Sequence, residues 1–205
     1  MKNVKIVVSI ALIVVSVVLI VRWINPTPLD ARALPSSGLG QVVAEEAIRV
    51  LEGKGKVVVV YLPVESIESR AKMEGFISTI EASENVRVSA REILKPEDVQ
   101  SMGRLTFEHF LRIVKNHSDA DAIVMFRGVT PFHAAKVKKL GDPLPKLIVA
   151  GWNPRHIHAG FDAGVIHAGI SAREFRTLPT DDPKTPLEWF DRYYEVSTFD
   201  ASDGS

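Results

Sequence analysis

The sequence predicts an α/β domain, an open and mainly parallel sheet flanked by helices, preceded by an N-terminal transmembrane helix. Three observations carry this. Val57-Val58-Val59-Val60 is a β-branched run without polar alternation, which suits a strand buried on both faces. Amphipathic helical stretches alternate with short apolar runs through the body, joined by short connections, which is the pattern of successive βαβ units. Ile6 to Val21 carries no charged residue at all.

The N-terminal run comes first. Lys2 and Lys5 precede it, and Ile6 to Ile24 spans 19 residues, close to the roughly 20 that a helix needs to cross the hydrocarbon core. Trp23 stands where an interfacial aromatic anchor belongs. Asn25-Pro26-Thr27-Pro28 then stops the helix. Residues 1–25 are therefore read as a membrane anchor. A cleaved export signal is the competing reading, with Ala31-Arg32-Ala33 as a small-x-small cleavage site. Either reading puts the body outside the cytoplasm: periplasmic and single-pass if anchored, secreted if cleaved. Residues 26–37, rich in proline, read as a linker.

The body is expected over residues 38–196. Val42, Val43, Ala47, Ile48 and Leu51 form one helical face, opposite Gln41, Glu45, Glu46, Arg49 and Glu52. Gly53-Lys54-Gly55 ends that helix, and the strand Lys56–Leu62 follows. Glu65 to Ala82 has a helical pattern, Val86 to Leu94 alternates as an edge strand would, and Leu105 to Val114 is helical again. Ala122–Phe126 is a short buried strand, Phe132–Leu140 a basic helix, and Lys146–Ala150 and Val165–Ile170 are two more strands. Pro186 opens a last helix through about Val196. Residues 197–205 form a polar tail expected to fray.

Composition excludes several functions. Lysine plus arginine and aspartate plus glutamate number 25 each, so nothing predicts attraction to nucleic acid. There is no cysteine, hence no disulfide framework, thiol nucleophile or thiolate metal site. No phosphate loop occurs, because Gly53-Lys54-Gly55 precedes a strand rather than following one. No G-x-S-x-G elbow occurs. His156, His158 and His167 lie near Asp162, but histidines two apart on a helix point in different directions, so no metal site is expected. Nor is any cofactor or enzymatic activity.

The strand ends remain. In open α/β sheets ligands bind at the carboxyl ends of strands. Leu62–Arg70, Arg127–Thr130, Trp152-Asn153 and Ser171–Arg173 fall there, offering guanidinium forks, an amide and a flat ring. That mixture suits a neutral polyol such as a sugar.

The order of segments also resembles a known family. "EGKGKVVVVYLP" leads to "ESRAKMEGFISTI", then "ENVRVSAREIL", "SDADAIVMFRG", "KLIVAGWN" and "GVIHAGISAR". This is similar to the C-terminal lobe of type 1 periplasmic sugar-binding proteins, which share a fold with the ligand domains of lactose-repressor-type regulators. The likeness covers roughly residues 38–196. It sets Arg70 before the Gly75-Phe76 pair of the family pattern. It departs where the family has Gly-Phe-Asp, since Gly151-Trp152-Asn153 replaces the acid with an amide, and where Arg127-Gly128-Val129 lacks the usual asparagine or aspartate. The resemblance implies sugar or polyol binding, with Arg70 as a clamp, Trp152 as a stacking face, Asn153 as a hydroxyl partner and Arg127 at the neighbouring strand end. It also leaves no room for a first lobe, so a second copy or a partner domain is expected to complete the cleft. The alternative function is a protein-interaction or dimerisation module without small-ligand binding, its interface marked by exposed apolar residues around Trp152 and Val129.

Overall fold

The computed structural model describes residues 33–100, 104–130, 132–141, 143–173 and 183–198. The expected anchor at residues 1–25 lies outside them. Among the described residues, no helix is long and apolar enough to cross a membrane.

Helix α1 (Leu34–Val50) starts four residues before the amphipathic pattern does, with Pro35 in its first turn, where an absent N–H costs no hydrogen bond. Part of the expected linker is therefore helical. Strand β1 (Gly55–Tyr61) follows a left-handed turn at Glu52 and Gly53. Its second amide is clamped, since Lys56 N donates to Asp121 Oδ2 at 2.7 Å. Helix α2 (Ile67–Glu81) is capped by Ser66, whose Oγ accepts from Ser69 N. Strand β2 (Val86–Ile93) alternates in burial, as its sequence pattern predicts.

The next segments differ from expectation. Strands β3 (Val99–Gln100) and β4 (Arg104–Thr106) precede helix α3 (Phe107–Asn116), so Leu105 belongs to a strand rather than a helix start. Thr106 caps α3 by accepting from His109 N at 3.2 Å. After β5 (Ala122–Met125) comes β6 (Val129–Thr130), and the expected basic helix is reduced to α4 (Ala134–Lys138). Strand β7 (Lys146–Ala150), helix α5 (Pro154–Asp162), strand β8 (Ile166–Ala172) and helix α6 (Pro186–Tyr193) complete the alternation. The last helix ends early. Tyr194–Thr198 forms β9, an antiparallel partner that satisfies the outer backbone groups of β8. Ser197 and Thr198, expected to fray, are paired with Gly169 and Ala168.

The main sheet has the order β2-β1-β5-β7-β8-β9, all parallel except β9. A small second sheet, β3-β4-β6, stands apart from it. Side chains of β1 alternate between two cores. Val57, Val59 and Tyr61 pack with α1, α2 and Phe190 of α6. Val58 and Val60 pack with α3, Val137 of α4 and Ile157 and Phe161 of α5. The sheet is thus covered on both faces, as its unbroken valine run predicts.

Helices α1 and α2 touch backbone to backbone. A Cβ on Gly40 would lie 2.0 Å from the Lys72 carbonyl oxygen, and one on Gly75 would lie 2.5 Å from that of Ser37. No larger residue fits this crossing. Gly75 of the family-like motif therefore serves the helix contact.

Candidate ligand-binding cleft

From β1 the chain goes through α2 to β2 on one side, then returns through α3 to β5 on the other. The strand order reverses between β1 and β5, and in open α/β sheets ligands bind outside the carboxyl ends of the strands; the cleft of this chain lies one strand further along. A cleft of about 620 Å³ lies beyond the ends of β5 and β7, within the usual size range for small-molecule sites.

Each wall has a structural origin. Phe126, Arg127, Gly128 and Val129 follow β5, and Ala150, Gly151 and Asn153 end β7. Gly151 adopts φ +73°, a left-handed turn that glycine takes without strain and that leads the chain into α5. Asn153 caps α5, its Oδ1 accepting from Arg155 N at 2.9 Å, which leaves its amide nitrogen unused by the cap. His156 projects from the first turn of α5, Lys72 from α2, Arg104 from β4 and Tyr194 from the start of β9.

The electrostatics are one-sided. Lys72, Arg104 and Arg127 all line the cleft, and among the described residues no carboxylate does. Burial, and secondarily the Arg127 charge, hold the Lys72 ammonium below its ordinary pKa. Its Nζ lies 5.8 Å from the Phe126 ring centroid, within cation–π range. Burial raises the Tyr194 phenol above its usual value, so it is a neutral hydroxyl donor at neutral pH.

The residues expected from sequence do not all meet. Arg127 and Asn153 line the same cleft. Arg70 does not: it lines a separate groove with Glu74, Glu81 and Arg91. The Trp152 ring is 3% exposed and packs edge-on against Phe110 and Phe132, so it offers no stacking face. Its indole N–H donates to the Arg127 carbonyl at 2.8 Å and pins the strand end that carries Arg127. Val129 is wholly buried, so the apolar interface expected around Trp152 and Val129 is core instead. Lys72, Arg104, His156 and Tyr194 were not expected in the site. Lys72 was legible only as one charge in an amphipathic helix, Arg104 lies just before the segment that read as helix, Tyr194 falls in a strand that read as helix, and His156 entered only as a metal ligand. No three metal-ligating side chains converge among the described residues. His167 instead accepts from Leu147 N through Nδ1 at 3.3 Å.

No protein-family profile and no curated protein matches the chain. Its fold is nonetheless shared with sugar ABC transporter solute-binding proteins. An arabinose-binding protein, AraP, from Geobacillus stearothermophilus superposes with TM-score 0.50 and 20% identity over 66% of this chain and 45% of that one. A sugar-binding protein of a sugar ABC transporter from Bacillus halodurans gives 0.51 and 20%, over 66% and 45%. An ABC transporter solute-binding protein from Burkholderia graminis, in complex with D-arabinose, gives 0.52 and 14%, over 66% and 47%. The chain spans about half the length of the solved structures it matches. At such identities the likeness establishes the fold: a mostly parallel α/β sheet flanked by helices, as in periplasmic binding proteins.

Proposed function

We propose that the chain is a non-enzymatic, solute-binding-like protein that holds a sugar or related polyol in the cleft beyond β5 and β7. Residues 38–196 act as a single lobe, and residues 1–25 tether it to the membrane with the lobe outside the cytoplasm. One observation carries the reading: the cleft lies at the carboxyl ends of parallel strands and gathers Arg127, Asn153 and Tyr194, which are suitable hydroxyl partners. The fold shared with sugar-binding proteins supports it. In this reading a second copy or a partner domain closes the cleft. Calorimetry and thermal unfolding of the full chain with a panel of sugars and sugar derivatives test this. A ligand that binds the native state raises the melting temperature; the absence of any shift or heat across the panel refutes it.

A second reading has its own support. Ile93 of β2 is 51% exposed and Ile67, the first residue of α2, is 56% exposed, and β2 is an end strand of the sheet. An unprotected end strand with exposed apolar side chains suits protein docking. In that case the chain is an interaction module, and light scattering of the full chain reports dimers that Ile93→Lys dissociates.

A further inference from the structure

Sugar binding alone does not account for the charges in the cleft. The chain as a whole is neutral, with 25 basic and 25 acidic residues, yet Lys72, Arg104 and Arg127 gather on one cleft without a lining carboxylate among the described residues. The salt bridges of the described residues lie elsewhere, joining Arg49 to Glu46, Asp98 to His109 and Arg112, and His117 to Glu92. Cations brought together in a partly desolvated place repel one another more strongly than they do in water. Burial and Arg127 both disfavour the charged form of Lys72, and no acid is among the groups that act on it. The helix end adds little hydrogen bonding of its own. Pro154 has no N–H, Arg155 N is taken by Asn153 Oδ1, and His156 N and Ile157 N are taken by the Asn153 carbonyl. Among the described residues, the donors left to meet a ligand are therefore side chains: two guanidinium forks and an ammonium. A neutral sugar would leave their repulsion in place. An anion would relieve it and form charge-assisted hydrogen bonds, for which guanidinium is well shaped.

We propose that the ligand of this cleft is a polyol bearing an anionic group, a phosphate ester or a carboxylate, with the anion between Lys72, Arg104 and Arg127 and the hydroxyls against Asn153 and Tyr194. This rests on the polyol reading above and narrows it to a charged class. The two anion sources share this chemistry, and the choice of probes separates them.

The test is isothermal titration of the full chain with glucose, glucose 6-phosphate, gluconate and inorganic phosphate at low ionic strength. At least one charged sugar is expected to bind at least about tenfold more tightly than glucose, since hydrogen bonds to charged groups are roughly twice as strong as neutral ones. Whether the phosphate ester or the carboxylate leads identifies the anion. Raised salt weakens the charged sugar and leaves glucose unchanged. Arg127→Gln removes most of the preference, and Lys72→Met is the second variant should the first fold poorly. Equal affinity for glucose and both charged sugars overturns the inference and leaves the polyol reading standing. Inorganic phosphate binding as tightly as glucose 6-phosphate overturns the polyol part and reduces the site to an anion site. No binding by any of the four probes overturns the inference.

Discussion

Two concavities flank helix α2, and they differ in charge balance. The cleft beyond β5 and β7 contains Lys72, Arg104 and Arg127 without a lining acid among the described residues. The groove at the β2 side contains Arg70 and Arg91 together with Glu74 and Glu81. Each has arginine, so arginine does not distinguish them; charge balance does. In the groove, Arg70, Glu74 and Glu81 of α2 and Arg91 of β2 offset one another in charge, and exposed charges of this kind contribute little. In the cleft the repulsion stands uncompensated until something negative arrives. The lesson is that a ligand site is marked by what its cations lack.

Substitutions in the two places should separate them. Arg127→Gln should weaken binding of the charged sugar by about 10- to 100-fold, the usual range for one charge-assisted hydrogen bond or two. Arg70→Gln should change it by less than about twofold, as expected of an exposed and balanced charge. Calorimetry of both variants against wild type measures the contrast, and equal losses would abolish the distinction.

Gly40→Ala should come next. Its new methyl would meet the Lys72 carbonyl at 2.0 Å, and overpacking of this kind costs about 1–3 kcal/mol. Because the displaced turn carries Lys72, denaturant unfolding and ligand affinity should both suffer. Lys72→Met should act in opposite directions on the two measurements. It removes a partly buried charge that Arg127 repels, so the melting temperature should rise while affinity for the charged sugar falls by about tenfold. A melting temperature that falls would show that the ammonium is compensated after all.

Trp152→Phe keeps a ring among Phe110 and Phe132 but removes the N–H that holds the Arg127 carbonyl. The loss should be about 1 kcal/mol of stability, with a few-fold weaker binding because Arg127 is less well positioned. The smallest effect is expected far from the cleft. His167 is held below the usual histidine pKa by burial and by Lys146. Its neutral form is the one that folds, so its contribution is complete above about pH 6.5 and is lost as pH falls through the lowered folded value. His167→Gln should flatten the acid side of the stability profile in that window.

The sheet was legible because its evidence is local. Val57–Val60, Ile123–Val124 and Leu147–Val149 are apolar runs that a doubly covered strand requires. Arg127 and Asn153 were legible for a related reason, since each directly follows such a run. Lys72 was not. It is two residues from Arg70, and helical positions two apart face different ways, so the sequence could not say which cation turns toward the cleft. Arg104 and Tyr194 lie in short strands whose existence depends on partners distant in the chain, Val129 for Leu105 and Ala172 for Tyr194. Trp152 misled because an aromatic at a strand end resembles a stacking platform until Phe110 and Phe132, distant in sequence, are seen to enclose it.

The most direct measurement is the ratio of affinities for glucose 6-phosphate and glucose, in the full chain and in Arg127→Gln, by isothermal titration at two ionic strengths. With a phosphate ester as the anion, a ratio above about ten should be found in the wild-type chain, shrinking with salt and approaching one in the variant. A wild-type ratio near one for this pair, repeated with gluconate against glucose, would contradict an anion-bearing ligand and return the cleft to neutral sugars.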